Sequence, residues 1–255
     1  VLKKTILYLL VFLLAFSVFV LAKAPARVIW EGVVEADPSV TNSLRSVGVS
    51  VKGIEGTIWD GRALVQYKGI ASIVDWNVKL SELYALSLPV KLDIDSQAGE
   101  LEAVITVGMS DIAVTVSRGD LDLSMLSPAL RAQRVTLDGQ LLLKDIQLLA
   151  EDNMLRSAAG MISWSGGDIA YPAQRAIHQR SFPPFRGVIE TSETGEIKAG
   201  VRDSGGSFDV IEATVSPEGE ALVKVKRRLL DLADEHWPQN SKEEDVVFKV
   251  KKKIY

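Results

Sequence analysis

This sequence predicts a mainly β protein: antiparallel meander sheets, closed as a sandwich or left as an open groove, with one N-terminal transmembrane helix and two short helices. Three observations carry that expectation. Apolar and polar residues alternate with a period of two through most of the chain after residue 26, as in strands with one buried and one wet face. Clusters of Gly, Pro, Asp and Ser interrupt the alternation at short intervals, which suits hairpins rather than crossover connections. One long apolar run stands near the start.

That run extends from Ile6 to Ala22, interrupted by Tyr8 and Ser17, with Lys3 and Lys4 before it and Lys23 and Arg27 after it. It reaches the lower edge of what a helix needs to cross about 30 Å of hydrocarbon, and exceeds the roughly 7–15 apolar residues of a cleavable signal peptide. The small-x-small site Ala22-Lys23-Ala24 has a lysine at its centre and Pro25 behind it. The expectation is an uncleaved signal anchor, with Ile6, Leu10, Leu14, Val18 and Ala22 along it. The N-terminus then lies in the cytoplasm and the bulk of the chain in the periplasm, at the inner membrane. Residues 1–26 are read as the cytoplasmic tip and anchor, and 27–255 as a periplasmic β-rich domain.

The strand pattern is clearest in the middle. Leu101, Ala103, Ile105 and Val107 share one side of a strand; Val114 and Val116 alternate with Thr115 and Ser117, and Leu121 and Leu123 with Asp120 and Asp122. Val135, Leu137, Leu141 and Leu143 do the same against Thr136, Asp138 and Gln140. Turns fall at Gln97-Ala98-Gly99, Arg118-Gly119-Asp120, Ser165-Gly166-Gly167, Ser204-Gly205-Gly206 and Pro217-Glu218-Gly219. One helix is expected from about Pro38 to Ser46, capped by Asp37 and closed by Gly48. A second is expected from about Arg227 to Trp237, with Leu229, Leu232, Ala233 and Trp237 on one face and Pro238 as its stop. Short turns are expected around Ser81–Leu86 and Ser124–Leu130. Gly56-Thr-Ile-Trp59-Asp-Gly61 is echoed by Gly160-Met-Ile-Ser-Trp164-Ser-Gly166, a candidate internal repeat of a β unit at about 27–150 and 151–255.

Composition removes several chemistries. The 255 residues carry a net charge of −4 with both signs scattered, unlike a nucleic-acid binder with its concentrated basic face. There is no cysteine, so disulfides, thiolate metal sites and thiol nucleophiles are excluded. The two histidines, His178 and His236, lie far apart, and neither a metal-ligand spacing, a nucleophile elbow nor a phosphate-binding glycine loop occurs. His236 suits the carbonyls at the end of the second helix. No enzymatic activity, metal, cofactor or small-molecule substrate is expected.

The remaining candidates are contact residues. Trp59, Trp76 and Trp164 sit in strand contexts and read as packing residues, with a groove lined for lipid or peptide as the alternative. Arg175, His178 and Arg180 precede Phe182-Pro-Pro-Phe185, where an irregular edge suits contact with an anionic lipid or a partner, or a solvated loop. Lys224, Lys226, Arg227 and Arg228, with Lys249, Lys251, Lys252 and Lys253, read chiefly as protection of an exposed sheet edge.

Taken in order, these features resemble protein N of the type II secretion system. The resemblance rests on the single anchor, Gly56-Thr-Ile-Trp-Asp-Gly-Arg-Ala63, the Trp76 strand leading into Leu83–Leu92, Gly160-Met-Ile-Ser-Trp164, and Gly205-Gly206-Ser-Phe208 followed by a strand, Pro217-Glu-Gly219 and another strand. Pro172-Ala-Gln-Arg175 departs from the Leu-Gly motif that the family often carries after its second tryptophan. The resemblance implies an accessory bitopic inner-membrane component of the machine that exports folded proteins from the periplasm. It implies contact with other periplasmic and inner-membrane parts of that machine, with the lipid bilayer met through the N-terminal helix. It also leaves open an AsmA-like envelope protein that handles lipid in an open apolar β groove. A dry closed interior favours the first, a continuous apolar groove the second.

Overall fold

Strands joined by tight turns pair with their sequence neighbours. The computed structural model describes residues 12–13, 16–17, 19–81, 86–130, 134–152, 154–173, 176–235, 237 and 240–254, and it follows that rule almost throughout. Sixteen strands run β1 (Val49–Gly56), β2 (Asp60–Tyr67), β3 (Ile70–Val78), β4 (Leu88–Ser96), β5 (Gly99–Val107), β6 (Asp111–Asp122), β7 (Thr136–Leu137) and β8 (Gln140–Glu151). They continue as β9 (Met154–Trp164), β10 (Gly167–Ala173), β11 (Ala176–Phe182), β12 (Phe185–Thr191), β13 (Ile197–Asp203), β14 (Ile211–Val215), β15 (Glu220–Lys226) and β16 (Val246–Lys253). Thirteen of them form one open antiparallel sheet in the order β1-β2-β3-β4-β5-β6-β8-β9-β12-β13-β14-β15-β16. The exception is a small sheet, β11-β10-β7. Of the two closures expected, the sheet is the open one.

The large sheet has two chemically distinct faces. Ile54, Ala63, Val74, Ile94 and Leu101 are register partners from β1 to β5. The same row continues through Gly119, Leu143 and Ile162, then Gly187, Val201, Ile211, Val225 and Phe248. One residue along, on the other face, runs Glu55, Arg62, Asp75, Asp93, Glu102, Arg118 and Lys144. Bulges keep the apolar row unbroken where the sequence changes phase. In β6 the apolar positions pass from Val114 and Val116 to Gly119 and Leu121, and Ser117 is the unpaired residue. In β8 they pass from Leu141 and Leu143 to Ile146 and Leu148, with Asp145 at φ 51° taking up the extra residue.

Among the described residues no core of large, fully buried side chains forms on this face. The buried apolar residues are mostly alanines, and Val210 is the largest side chain fully enclosed among those described. Most of the apolar row is half-buried.

Among the described residues four short helices accompany the sheet, besides the helical stretch before Lys23: α1 (Ala26–Ala36), α2 (Ser39–Ser46), α3 (Ser127–Leu130, after a 3-10 turn at Leu123–Leu126) and α4 (Arg227–Leu232). Helix α2 begins at Ser39, one residue later than expected, with Pro38 rather than Asp37 at its N-cap position, while Asp37 Oδ1 accepts from Ser39 N at 2.9 Å. Helix α4 is shorter than predicted, ending at Leu232, because Asp234 turns to φ 53°. Helix α1 was missed: Val28-Ile-Trp30 and Val33-Val34 read locally as strand, yet the segment packs on β1 with Ala26 buried. The turn at Leu123–Leu130 forms as expected; of the Ser81–Leu86 turn, residues 82–85 lie outside the described ones.

The anchor falls largely outside as well. Ile6, Leu10, Leu14 and Val18 are not among the described residues, while Ala22 belongs to a helical, exposed stretch at 19–22. Among the described residues no helix is long and apolar enough to cross a membrane.

Candidate functional site

Two places bring the sequence candidates together. The first is the turn between β1 and β2, where Gly56 through Gly61 receives the chain as it leaves the N-terminal helical stretch. Trp59 Nε1 donates to Leu21 O at 2.8 Å and Ile58 N donates to Ala24 O at 3.1 Å, while Pro25 and Thr57 form an isolated bridge. Thr57 N donates to Asp60 O at 2.8 Å and closes the turn. Gly56 sits at φ 84°, and a Cβ there would lie 2.5 Å from Asp60 O. Gly61 has another reason to be glycine: the Trp76 ring lies over it, and a Cβ would meet Cζ2 at 2.4 Å. Trp76 Nε1 then donates to Ile58 O at 3.2 Å. The motif is a clasp that fixes the entering chain to the first hairpin.

Gly160 and Trp164 are placed differently. Gly160 lies inside β9, facing the β8 bulge, where a Cβ would press on Ile146 at 2.6 Å. Trp164 ends β9, donates from Nε1 to Asp138 O at 2.8 Å, and stacks on Phe185 with centroids 5.7 Å apart. Gly56–Trp59 and its echo Gly160–Trp164, one residue longer, therefore occupy a turn in one case and a strand in the other.

The second place lies under the β10–β11 hairpin, which folds with β7 over the apolar face of β9 and β12–β16. Between hairpin, sheet and α4 lies an almost wholly apolar chamber of about 680 Å³. Ile169, Tyr171 and Phe182 of the hairpin form one wall, Leu229, Leu230 and Ala233 another, and Ile162, Val201 and Ile211 the floor. Phe182 and Phe185, candidates for outside contact, turn inward to line it.

A polar clasp holds the hairpin down. Tyr171 OH donates to Glu235 Oε1 at 2.8 Å, His178 Nδ1 lies 2.9 Å from the same oxygen, and Arg180 Nε donates to Ala233 O at 2.8 Å. Asp234 lies 3.5 Å from the Arg180 guanidinium. The contacts with His178 and then Tyr171 hold the Glu235 carboxyl below its usual range; burial, and then Glu235, raise the Tyr171 phenol. Arg180 and His178 thus serve this clasp, and no sequence signal joins them to Glu235, which lies 57 residues beyond His178. Arg175 and His236 lie outside the described residues, as does part of the Pro172–Arg175 loop.

Gly205 and Gly206 build a third feature, a turn around a buried carboxylate. Asp203 is 3 % exposed. It accepts Arg228 Nε and Nη2, each at 2.8 Å, and the Gly205 N–H at 3.1 Å. Arg228, chiefly, depresses the Asp203 pKa. Lys224 and Lys226 both reach Glu212, at 3.8 and 2.5 Å. On β16, Lys251 pairs with Glu220 at 2.7 Å, and Phe248 and Val250 on the opposite face stay exposed. Among the described residues no group of His, Asp and Glu has a metal-ligating arrangement.

A family model described as type II secretion system (T2SS), protein N matches residues 47–238, from just before β1 to beyond α4. Neither the curated proteins nor the solved structures contain a match to the chain.

Proposed function

The chain belongs to the type II secretion system protein N family, and from that premise we propose that it is an accessory, non-catalytic part of the secretion apparatus. The family match carries this reading, since it takes in every strand of the large sheet except β16. In the proposal, the N-terminal apolar run holds the chain in the inner membrane and the sheet stands in the periplasm. The chain acts by protein contact, with other inner-membrane and periplasmic components as its partners. The Gly56–Gly61 clasp suits that role, because it ties the end of the apolar run at Leu21, and Ala24 just after it, to the first hairpin through Trp59 and Ile58. A contact surface of the right kind is the β16 edge, with Val250 exposed on one face beside Phe248, which packs on Trp237, and Lys249 and Lys251 on the other. An edge of this kind accepts a partner strand.

The test is deletion of the gene in the source bacterium. Folded exoproteins should then accumulate in the periplasm, and the wild-type chain should restore their export. Photo-crosslinkers at Lys224 or Lys249 should capture other secretion components. Export unchanged by deletion, together with no such crosslink, would overturn the proposal.

A further inference from the structure

We infer that the β16 edge takes up an acidic segment of a partner protein as an added antiparallel strand. Its carboxylates stand opposite Lys249 and Lys253, and its apolar side chains opposite Phe248 and Val250. This rests on the contact role proposed above and names the chemistry of the partner. β16 stands last in the order of the large sheet, and its residues from Phe248 to Lys253 are all exposed. Ile254 N donates to Gly219 O at 2.9 Å, which sets the phase of the ladder. Phe248, Val250 and Lys252 therefore bond to β15, and the N–H and C=O groups of Lys249, Lys251 and Lys253 point away from it. Among the described residues those outward groups meet no other element, and they are what an incoming strand requires.

The same three residues carry the charge that selects the partner. Their side chains share the polar face, in register with Lys224, Leu222 and Glu220. Glu220 pairs with Lys251 at 2.7 Å, and Glu212 is already shared by Lys224 and Lys226. Among the described residues no acid lies within ion-pair distance of Lys249 or Lys253. Lys249 stands directly opposite Lys224 in a non-hydrogen-bonded pair, where side chains come closest and like charges repel. A carboxylate on the next strand relieves that repulsion; a neutral or basic residue does not. On the other face Val250 is 60 % exposed, and Phe248 is only partly covered by Trp237, with ring centroids 5.5 Å apart. Apolar residues opposite these two extend the apolar row by one strand. Along an antiparallel partner the pattern reads acid, two unconstrained residues, apolar, acid, apolar. A second copy of the β16 edge would set lysines against lysines, so the charges that select an acidic strand also reject self-pairing.

The test measures, by fluorescence anisotropy, the binding of two designed peptides to the full chain purified in detergent micelles. One displays Glu-Thr-Thr-Val-Glu-Val on a strand held extended in a cyclic hairpin, and the other Lys-Thr-Thr-Val-Lys-Val in the same frame. The acidic peptide should bind about tenfold tighter or more, since two ion pairs replace two like-charge contacts, and added salt should erode the preference. Combining Lys249→Glu with Lys253→Glu should reverse it, so that the lysine peptide binds better. Lys251→Pro removes an outward N–H without touching the β15 ladder and should abolish binding, whereas Lys251→Thr should retain it within about twofold. Equal affinity for the two peptides, binding of neither, no reversal in the double variant, or full binding by Lys251→Pro would overturn the inference. If a variant does not fold, by circular dichroism, the two peptides on the wild-type chain decide. Binding is read without export, so failure here leaves the role in secretion standing, and unchanged export on deletion would leave this recognition rule standing.

Discussion

Replacing Arg228 with methionine leaves the Asp203 carboxylate with no countercharge, 3 % exposed and held by backbone N–H groups alone, those of Gly205 and of Asp203 itself. Removing one partner of a buried pair costs about 3–5 kcal/mol, because the surviving charge remains desolvated. Arg228 is itself 21 % exposed at its side chain, so water reaches its place and the lower end, about 3 kcal/mol, applies. For a chain of this size each kcal/mol moves the melting temperature by roughly 2–4 °C, which gives a drop of about 6–12 °C near neutral pH. The pH dependence supplies a second signature. In the native protein Arg228 lowers the Asp203 pKa. The stabilisation is therefore complete above the ordinary aspartate value, about 3.9, and is lost as pH falls through the lower folded value. In Arg228→Met the unpaired carboxyl titrates upward instead, and protonation relieves it. The melting gap between the two proteins should narrow steadily from pH 7 to pH 4. Thermal unfolding followed by circular dichroism measures both. A gap under about 2 °C at pH 7, or one that does not change with pH, would refute the reasoning.

Three further outcomes follow from the same geometry. Gly61→Ala drives a methyl into the Trp76 ring and should lower stability by about 1–3 kcal/mol, whereas Gly53→Ala, with nothing within 4 Å of its Cβ, should leave chemical denaturation curves almost unmoved. Trp59→Phe removes the bond to Leu21 O; limited proteolysis should then cut faster around residues 22–27, with the melting of the sheet unchanged. Glu235 is held below its usual pKa by His178 and Tyr171, with Arg180 nearby. Its contribution to the hairpin clasp is therefore present above the ordinary glutamate value, about 4.3, and lost on acidification below it. Hydrogen exchange across β11 should accelerate as pH is lowered through that range, after correction for intrinsic rates, and Glu235→Gln should remove the dependence.

The strands were legible because their faces alternate. The register of Leu101, Ala103 and Ile105 against Ile94, Leu92 and Val90 is the period-two pattern made physical. The bulges were not legible, since a phase change such as Val116 to Gly119 reads equally well as a strand break. Helix α1 was hidden by β-branched and aromatic residues whose local preference gives way to packing against β1. Gly166, Gly205 and Gly206 were found as turn residues, but Gly160 lies inside β9 and the turn expected at Arg118-Gly119-Asp120 is the bulged middle of β6; the partners of the motif glycines were not found. Gly61 depends on Trp76, fifteen residues further on, and Gly206 on Asp203, where a Cβ would sit 2.4 Å from Oδ1. The hairpin clasp had no local trace, because Tyr171, His178 and Glu235 are brought together only when β10–β11 folds over the sheet.

A single open sheet of this width has to find another way than a packed core to keep its apolar face from associating at random. Here the solution differs along its length. At the β1 end, α1, α2 and the Trp59 clasp guard the edge. Towards the other end the β10–β11 hairpin and α4 roof the apolar floor without filling it, and the space they leave is the chamber. The roof is fastened by polar contacts to Ala233 and Glu235, beside the Phe182–Phe185 ring contact at 6.2 Å. Contacts of that kind break singly, and each exposes groups that water satisfies. The same polar contacts that fix the hairpin keep the apolar floor covered along this part of the sheet.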